Sequence, residues 1–400
     1  MRTVFAGGSV FDARTGTFQS ADVLAEGERI VDVASGLDGD EVVDCAGRWV
    51  MPGLVDTHVH LMLAHVDFLR LAQTPFSLRF YEAIGSMQAT LGAGITTVRD
   101  AGGADLGLKT AVDRGLVPGP RMQISLTLLS QTGGHGDDWM PSGFHLPLLP
   151  TYPGMPSAVV DGPDEMRKKV REVLRAGADV IKVATSGGVL SPTDDPTHAH
   201  FGPAELEVLV AEAATQGAFV MAHAQAAEGI KNAVRAGIRS IEHGIYLDDE
   251  AIELMVDAGT WLVPTLVAPL GVIRAAEGGA SIPEGSVRKA REVVAAHEDS
   301  FRRAVAAGVK VAMGTDSAVT PHGENLDELP LMADGGMAPS DVLRATTIVA
   351  AELMGWDDRV GSLEPGRFAD VVVLDADPLA DLAGMKGSIE GVWKGGERVV

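Results

Sequence analysis

Two histidines one residue apart, in Gly53-Leu54-Val55-Asp56-Thr57-His58-Val59-His60-Leu61, are the first residues of the chain whose types and spacing point to chemistry. A β-strand repeats every two residues, so His58 and His60 leave the same face of an otherwise apolar segment. Two imidazoles placed this way can grip one metal ion. The pair alone fits equally well with two hydrogen-bonded histidines at a strand end, and the test is whether later strands end in further ligand types. They do: Lys182 lies in Asp179-Val180-Ile181-Lys182-Val183-Ala184, His223 closes Ala218-Phe219-Val220-Met221-Ala222-His223, His243 closes Ser240-Ile241-Glu242-His243, and Asp316 closes Lys310-Val311-Ala312-Met313-Gly314-Thr315-Asp316.

Four imidazoles and a carboxylate exceed the three protein ligands of a catalytic zinc ion. Two divalent ions per chain use them more economically, and a pair of ions needs a bridging anion. Lys182 as an ammonium would be repelled, but its carbamate, formed with carbon dioxide, presents two oxygens on a long stem. The competing role for Lys182 is a lysine that snorkels or pairs with an acid; its register with the histidine strands favours the bridge. The competing role for Asp316 is a helix N-cap. Zinc suits nitrogen and oxygen ligands, though cobalt or manganese would fit the same set.

These residues must be positioned by strands. Apolar runs at 53–61, 94–100, 122–126, 179–184, 218–223, 240–243, 260–265 and 310–316 make eight strand candidates, and helical candidates at 163–176, 203–216, 226–236, 248–258 and 286–307 fit between them. Alternation of this kind signals βα units and a parallel sheet. Gly177, Gly237 and Gly308 each stand between a helix and the next strand, as C-terminal capping requires. The expected fold is α/β: a (β/α)8 TIM barrel over residues 53–355, with its site at the C-terminal strand ends. Residues 1–52 and 356–400 read as short strands separated by glycines, without room for a substantial helix, and are expected to build one small β-sandwich from both chain ends. Two connections exceed what a barrel needs. Residues 131–162 carry Trp139, Met140, Phe144, Leu146, Leu148, Leu149 and Tyr152, an apolar set that would wall a pocket; residues 187–202 carry His198 and His200.

Composition limits the partners. The chain is 46% hydrophobic and 22% charged, and 55 acidic against 32 basic residues leave a net charge of −23, which disfavours nucleic acid and anionic membrane. Cys45 is the sole cysteine, so neither an internal disulfide nor a thiolate metal cage is available. No stretch has the run of about 18 apolar residues needed for a membrane span, and Met1 to Val10 lacks the apolar run of a signal peptide. A cytoplasmic protein with a small-molecule substrate is expected; oligomeric state, a homo-oligomer included, is open.

Together, His58-Val59-His60 after Gly53-Leu54-Val55-Asp56, the fourth-strand lysine, Ala222-His223-Ala224, Ile241-Glu242-His243-Gly244 and Gly314-Thr315-Asp316-Ser317 resemble the binuclear metal-dependent amidohydrolase superfamily. The tail Gly361-Ser362-Leu363-Glu364-Pro365-Gly366-Arg367-Phe368-Ala369-Asp370 is similar to that superfamily's return into its β-sandwich, so the resemblance spans nearly the whole chain. Thr132-Gly133-Gly134-His135-Gly136-Asp137 and His243-Gly244-Ile245-Tyr246-Leu247-Asp248-Asp249 further resemble the Xaa-Pro dipeptidase and lysine/arginine carboxypeptidase branch, related to the imidazolonepropionases.

The resemblance implies that His58, His60, carboxylated Lys182 and Asp316 hold one ion, while Lys182, His223 and His243 hold the other. It implies a metal-bridging hydroxide as nucleophile, Asp316 as the group that moves its proton to the leaving nitrogen, His135 polarising the scissile carbonyl, and Tyr246 binding the substrate's terminal carboxylate. The substrate would be a dipeptide or N-acyl amino acid; the alternatives are hydrolysis of a non-peptide amide, carbamate or urea, a silent scaffold, or a mononuclear deaminase. His198, His200 and His322 are expected to be solvent-exposed, His65 and His297 to sit in helices, and Arg99-Asp100 to form a structural ion pair.

Overall fold

A computed structural model describes residues 1–400. Parallel strands form two sheets. Leu54–Val59, Ile95–Asp100 and Arg121–Ile124 make one of three strands; Leu128–Leu129, Val180–Ala184, Phe219–Ala224, Ser240–His243, Trp261–Val263 and Lys310–Val311 make one of six, paired in sequence order. Nearly every residue of these strands is buried, because helices cover one face and the strands' own side chains fill the other.

Backbone hydrogen bonds join the sheets at one edge. Thr57 N donates to Met313 O at 3.0 Å, Asp316 N to His58 O at 2.7 Å and His60 N to Ser317 O at 2.9 Å. These bonds also explain why the strand expected over 310–316 is regular only at Lys310–Val311. Its neighbour ends at Val263, before Pro264, which has no N–H to continue a ladder. The chain then turns its amides towards the first strand instead. At the opposite edge, the strand expected over 122–126 stops at Ile124; Leu126 takes a φ of 66°, and a further short strand, Leu128–Leu129, follows, so that Arg121–Ile124 and Leu128–Leu129 each pair with a different sheet.

The helices Pro163–Arg175, Pro203–Ala214, Ala227–Arg235, Asp249–Ala258 and Glu284–Ala307 follow the sequence pattern. In Pro163–Arg175, for instance, proline opens the first turn beside Asp164 and Glu165, and Met166, Val170 and Val173 form the buried stripe. Gly177, Gly237 and Gly308 all take left-handed φ, as expected after a helix. Leu78–Gly92 and Val267–Glu277 are further helices; Pro269 and Gly271 disguise the second as a loop. His65 lies in the irregular segment before the helix Phe68–Gln73 rather than in a helix.

Both chain ends share one eight-stranded sheet, in the order Glu397–Arg398, Ile389–Lys394, Val371–Leu374, Trp49–Pro52, Arg2–Asp12, Thr17–Glu26 and Arg29–Ala34, with Glu41–Asp44 beside Arg2–Asp12. The sheet curls until its last strand bonds the approach to Val371–Leu374: Ile30 N reaches Arg367 O at 2.9 Å and Ala369 N reaches Glu28 O at 2.8 Å. Phe5, Val23, Ile30, Val50, Val371 and Trp393 fill the core so enclosed, with Phe5 and Trp393 edge to face at 5.0 Å. Gly53 marks the passage from this sheet to the first parallel strand; it packs so closely on Thr96 and Asp370 that a Cβ would fall 2.1 Å from Thr96 Oγ1.

Candidate metal centre

The first parallel strand delivers His58 and His60 to one place, as its two-residue period requires, and the segment bonded to its edge brings Asp316 to them. His60 Nε2 and His58 Nε2 stand 3.1 Å and 3.4 Å from Asp316 Oδ1. One ligand atom from each of the three lies within 4.8 Å of the others, a spacing that one ion could bridge. Lys182 Nζ is 3.5 Å from His58 Nε2, and the rings of His223 and His243 adjoin, 4.7 Å apart, with His243 5.2 Å from His58.

The donor set suits a metal in a second respect. Each imidazole has one nitrogen held by a group outside the cluster, which leaves the other for the cluster itself: Nδ1 of His58 bonds Glu242 at 2.7 Å, Nδ1 of His60 bonds Gly102 O at 2.8 Å, Nε2 of His223 bonds Gly187 O at 3.1 Å, and Nδ1 of His243 bonds Thr265 Oγ1 at 2.7 Å. Outer partners of this kind fix the tautomer and aim the free nitrogen. Burial drives both His223 and His243 well below the usual imidazole pKa, which keeps them neutral, the form that binds metal. Burial would raise the pKa of Asp316, but its bonds to His58 and His60 hold it well below the carboxylate range.

Lys182 fits no ordinary lysine role here. It is 2% exposed, so it does not snorkel, and its only polar contact is the one to His58. Burial pushes its ammonium down to about 8, so the free amine, the form that reacts with carbon dioxide, is accessible. Glu242 and Asp316 act on it only at longer range, and a buried cation without an anion in direct contact is costly.

Strand alternation should place Glu242 and His243 on opposite faces. His243 takes a left-handed φ of 72°, a departure from strand geometry that lets both residues reach the centre. Asp316 is similarly left-handed at 58°. Such backbone costs about 1–3 kcal/mol per residue and concentrates at functional sites. Glu242 is the partner that sequence reading missed. It joins His58 to Arg99, 3.0 Å away, and to Ser240 Oγ at 2.6 Å. Arg99 therefore does not pair with Asp100 as expected: Asp100 instead accepts the backbone amides of Leu61, Gly102 and Ala104. The signal was the carboxylate adjoining His243 in a strand with no other charge.

A cavity opens on these residues. Met140, Leu146, Leu148 and Leu149 of the long loop line it, with Val66, Val189 and Val272 among the other apolar walls. Trp139 and Phe144, expected in the same wall, are 48% and 62% exposed, and Tyr152 instead packs on Phe76 and Phe80. His135 lines the cavity, stacked on His223 at 4.1 Å. Tyr246 does not line it; its ring packs against the cluster of Val66, Val189 and Val272. Gln225 does line it, 4% exposed, and its Oε1 has no partner within the protein. His198 is exposed as expected, but His200 is buried and His322 half-buried against Leu63 O, and neither lines the cavity. His297, in the helix Glu284–Ala307, is buried against His243 O.

Comparison with known proteins gives a consistent result. Residues 49–399 match the family described as "Amidohydrolase family". The ochratoxinase of Aspergillus niger is 37% identical over 365 residues, 87% of this chain and 75% of that protein. Among solved structures, a Xaa-Pro dipeptidase with methionine bound in its active site is 32% identical with a TM-score of 0.90, covering 100% of this chain and 99% of that one. A prolidase complexed with N-methylphosphonate-L-proline is 36% identical with a TM-score of 0.92 at the same coverage.

Proposed function

The chain belongs to the amidohydrolase family, and on that premise we propose that it is a metal-dependent hydrolase cleaving the carbon–nitrogen amide bond of a dipeptide or N-acyl amino acid. The observation that carries this reading is the meeting of His58, His60 and Asp316 within 4.8 Å, beside Lys182, at the floor of an apolar cavity. We read the two parallel sheets as a (β/α)8 barrel over residues 53–355 and the curled sheet, from 1–52 and 356–400, as the accompanying β-sandwich.

His58, His60, Asp316 and a carbamate on Lys182 would hold one divalent ion, and the same carbamate with His223 and His243 a second; zinc fits both sets. Ions so held lower the pKa of water to about 7 and polarise a carbonyl. Asp316, kept ionised, accepts the proton of the attacking water and delivers it to the leaving nitrogen. His135, with Nδ1 occupied, offers Nε2 to the scissile carbonyl. Gln225, whose amide can turn either its oxygen or its N–H inward, takes the substrate-binding place expected for Tyr246. The apolar loop residues exclude water and receive the acyl group or side chain. The neighbours named Xaa-Pro dipeptidase and prolidase support a peptide-type amide.

A second reading is a non-peptide amide, carbamate or urea. No arginine lines the cavity and its only lysine is Lys182, so a free substrate carboxylate has no dedicated cation to meet. Hydrolysis of dipeptides and N-acyl amino acids compared with their C-terminal amides, by zinc-loaded protein, decides between them. Preference for the free acids supports the first reading, indifference supports the second, and inactivity on these and on a panel of non-peptide amides, carbamates and ureas overturns both.

A further inference from the structure

His135 is held in a setting that the metal centre alone does not require. Its ring stacks on His223 at 15° between planes and lies so close to Gly188 that a Cβ there would fall 2.2 Å from His135 Cε1. At its edge, Nδ1 bonds Asp194 Oδ2 at 3.0 Å, and the same oxygen accepts Gly188 N at 3.0 Å. The side chain of Asp194 is 1% exposed, and its other oxygen meets Lys289 Nζ at 3.2 Å. Lys289, from the helix Glu284–Ala307, also donates to the carbonyls of Gly188 at 2.7 Å, Ser191 at 2.6 Å and Asp194 at 3.0 Å. One buried ammonium thus gathers the loop into a knot. Its members Val189, Leu190, Ser191 and Pro192 line the substrate cavity.

We propose that Asp194 and Lys289 are a positioning pair: Asp194 fixes the ring and tautomer of His135 so that Nε2 is presented to the substrate, and Lys289 anchors both Asp194 and the cavity wall. Burial alone would raise the Asp194 carboxyl, but His135 and Lys289 hold it below its ordinary value, so the pair is ionic. An ionised acceptor on Nδ1 requires the proton there. With the proton on Nδ1 the neutral ring has only a lone pair at Nε2, so the form that bonds a carbonyl oxygen is the imidazolium, which the carboxylate of Asp194 favours. Neither residue lines the cavity, so each acts through others.

The inference rests on the function proposed above for its kinetic test but not for its spectroscopic one. Asp194→Asn should lower kcat about 10–100-fold, the usual effect of losing an outer-shell partner, with metal content unchanged. Lys289→Met should raise KM as well, because it also frees the wall. Added to His135→Ala, Asp194→Asn should cost nothing more, since its effect runs through the missing ring; independent, multiplying losses would overturn the proposal. In nitrogen-15 histidine spectra of the zinc-loaded protein, the signal lost in His135→Ala should show its proton on Nδ1 in wild type and lose that preference in Asp194→Asn. A wild type whose His135 ring carries its proton on Nε2 alone overturns the proposal even if no substrate is turned over. A wild type inactive on every amide but with the proton on Nδ1 overturns only the function. Should Asp194→Asn not fold, the double variant Asp194→Asn/Lys289→Met, which leaves no unpaired charge, carries the same tests.

Discussion

Oε2 of Glu242 lies 2.7 Å from Nδ1 of His58, and both side chains are buried. The carboxylate therefore fixes which nitrogen of His58 faces Asp316, while Arg99 offsets the charge that would otherwise be stranded. Burial works to neutralise Glu242, but Arg99, His58 and Lys182 together hold its pKa below the usual carboxylate range. Glu242→Gln should weaken metal affinity about 10–100-fold, read as zinc retention against a competing chelator. Unchanged retention would show that His58 is oriented without it.

Gln225→Leu keeps the volume of the side chain and removes its unpartnered acceptor. Because the amide has no bond within the protein to lose, stability should change little, and the effect should fall on KM. The expected rise is about tenfold, equivalent to one hydrogen bond of about 1.4 kcal/mol. A kcat loss without a KM change would place Gln225 in the chemistry instead.

Glu328 gives a pH dependence of stability with a defined sign. It accepts the amides of Leu266 and Val267, both at 2.8 Å, and burial pushes its carboxyl up from 4.5 to about 8. Between those values the folded chain binds the proton that the unfolded chain has released, so this group's contribution falls as pH rises through the window. Glu328→Gln removes the titration. The thermal midpoint of the wild type relative to this variant should therefore decline from pH 5 to pH 8; a constant difference would contradict the assignment.

The strands and the histidines that gather at their ends were legible in the sequence because periodicity and residue type report directly on them. His58 and His60 need only the two-residue period, and Lys182 is conspicuous in an apolar strand. What was not legible depends on chain segments meeting. Asp194 and Lys289 are ordinary surface types in the sequence, and only the packing of the helix Glu284–Ala307 on the 187–195 loop buries them together. Tyr246 has the right residue type one turn beyond a strand, but the backbone sends Ile245, not Tyr246, to the cavity. The helix Val267–Glu277 was obscured because Pro269 and Gly271 oppose helix formation locally, a bias that burial of Val267, Ala268 and Val272 overcomes.

The central claim is a pair of ions bridged through Lys182, and metal stoichiometry measured on the wild type and on Lys182→Ala tests it most directly. Protein loaded with zinc in bicarbonate buffer should hold about two ions per chain, while Lys182→Ala should hold fewer and lose amide hydrolysis, in line with the role of metal ligands in such sites. One ion or none in the wild type, or a Lys182→Ala variant that keeps both ions and its activity, would contradict the account.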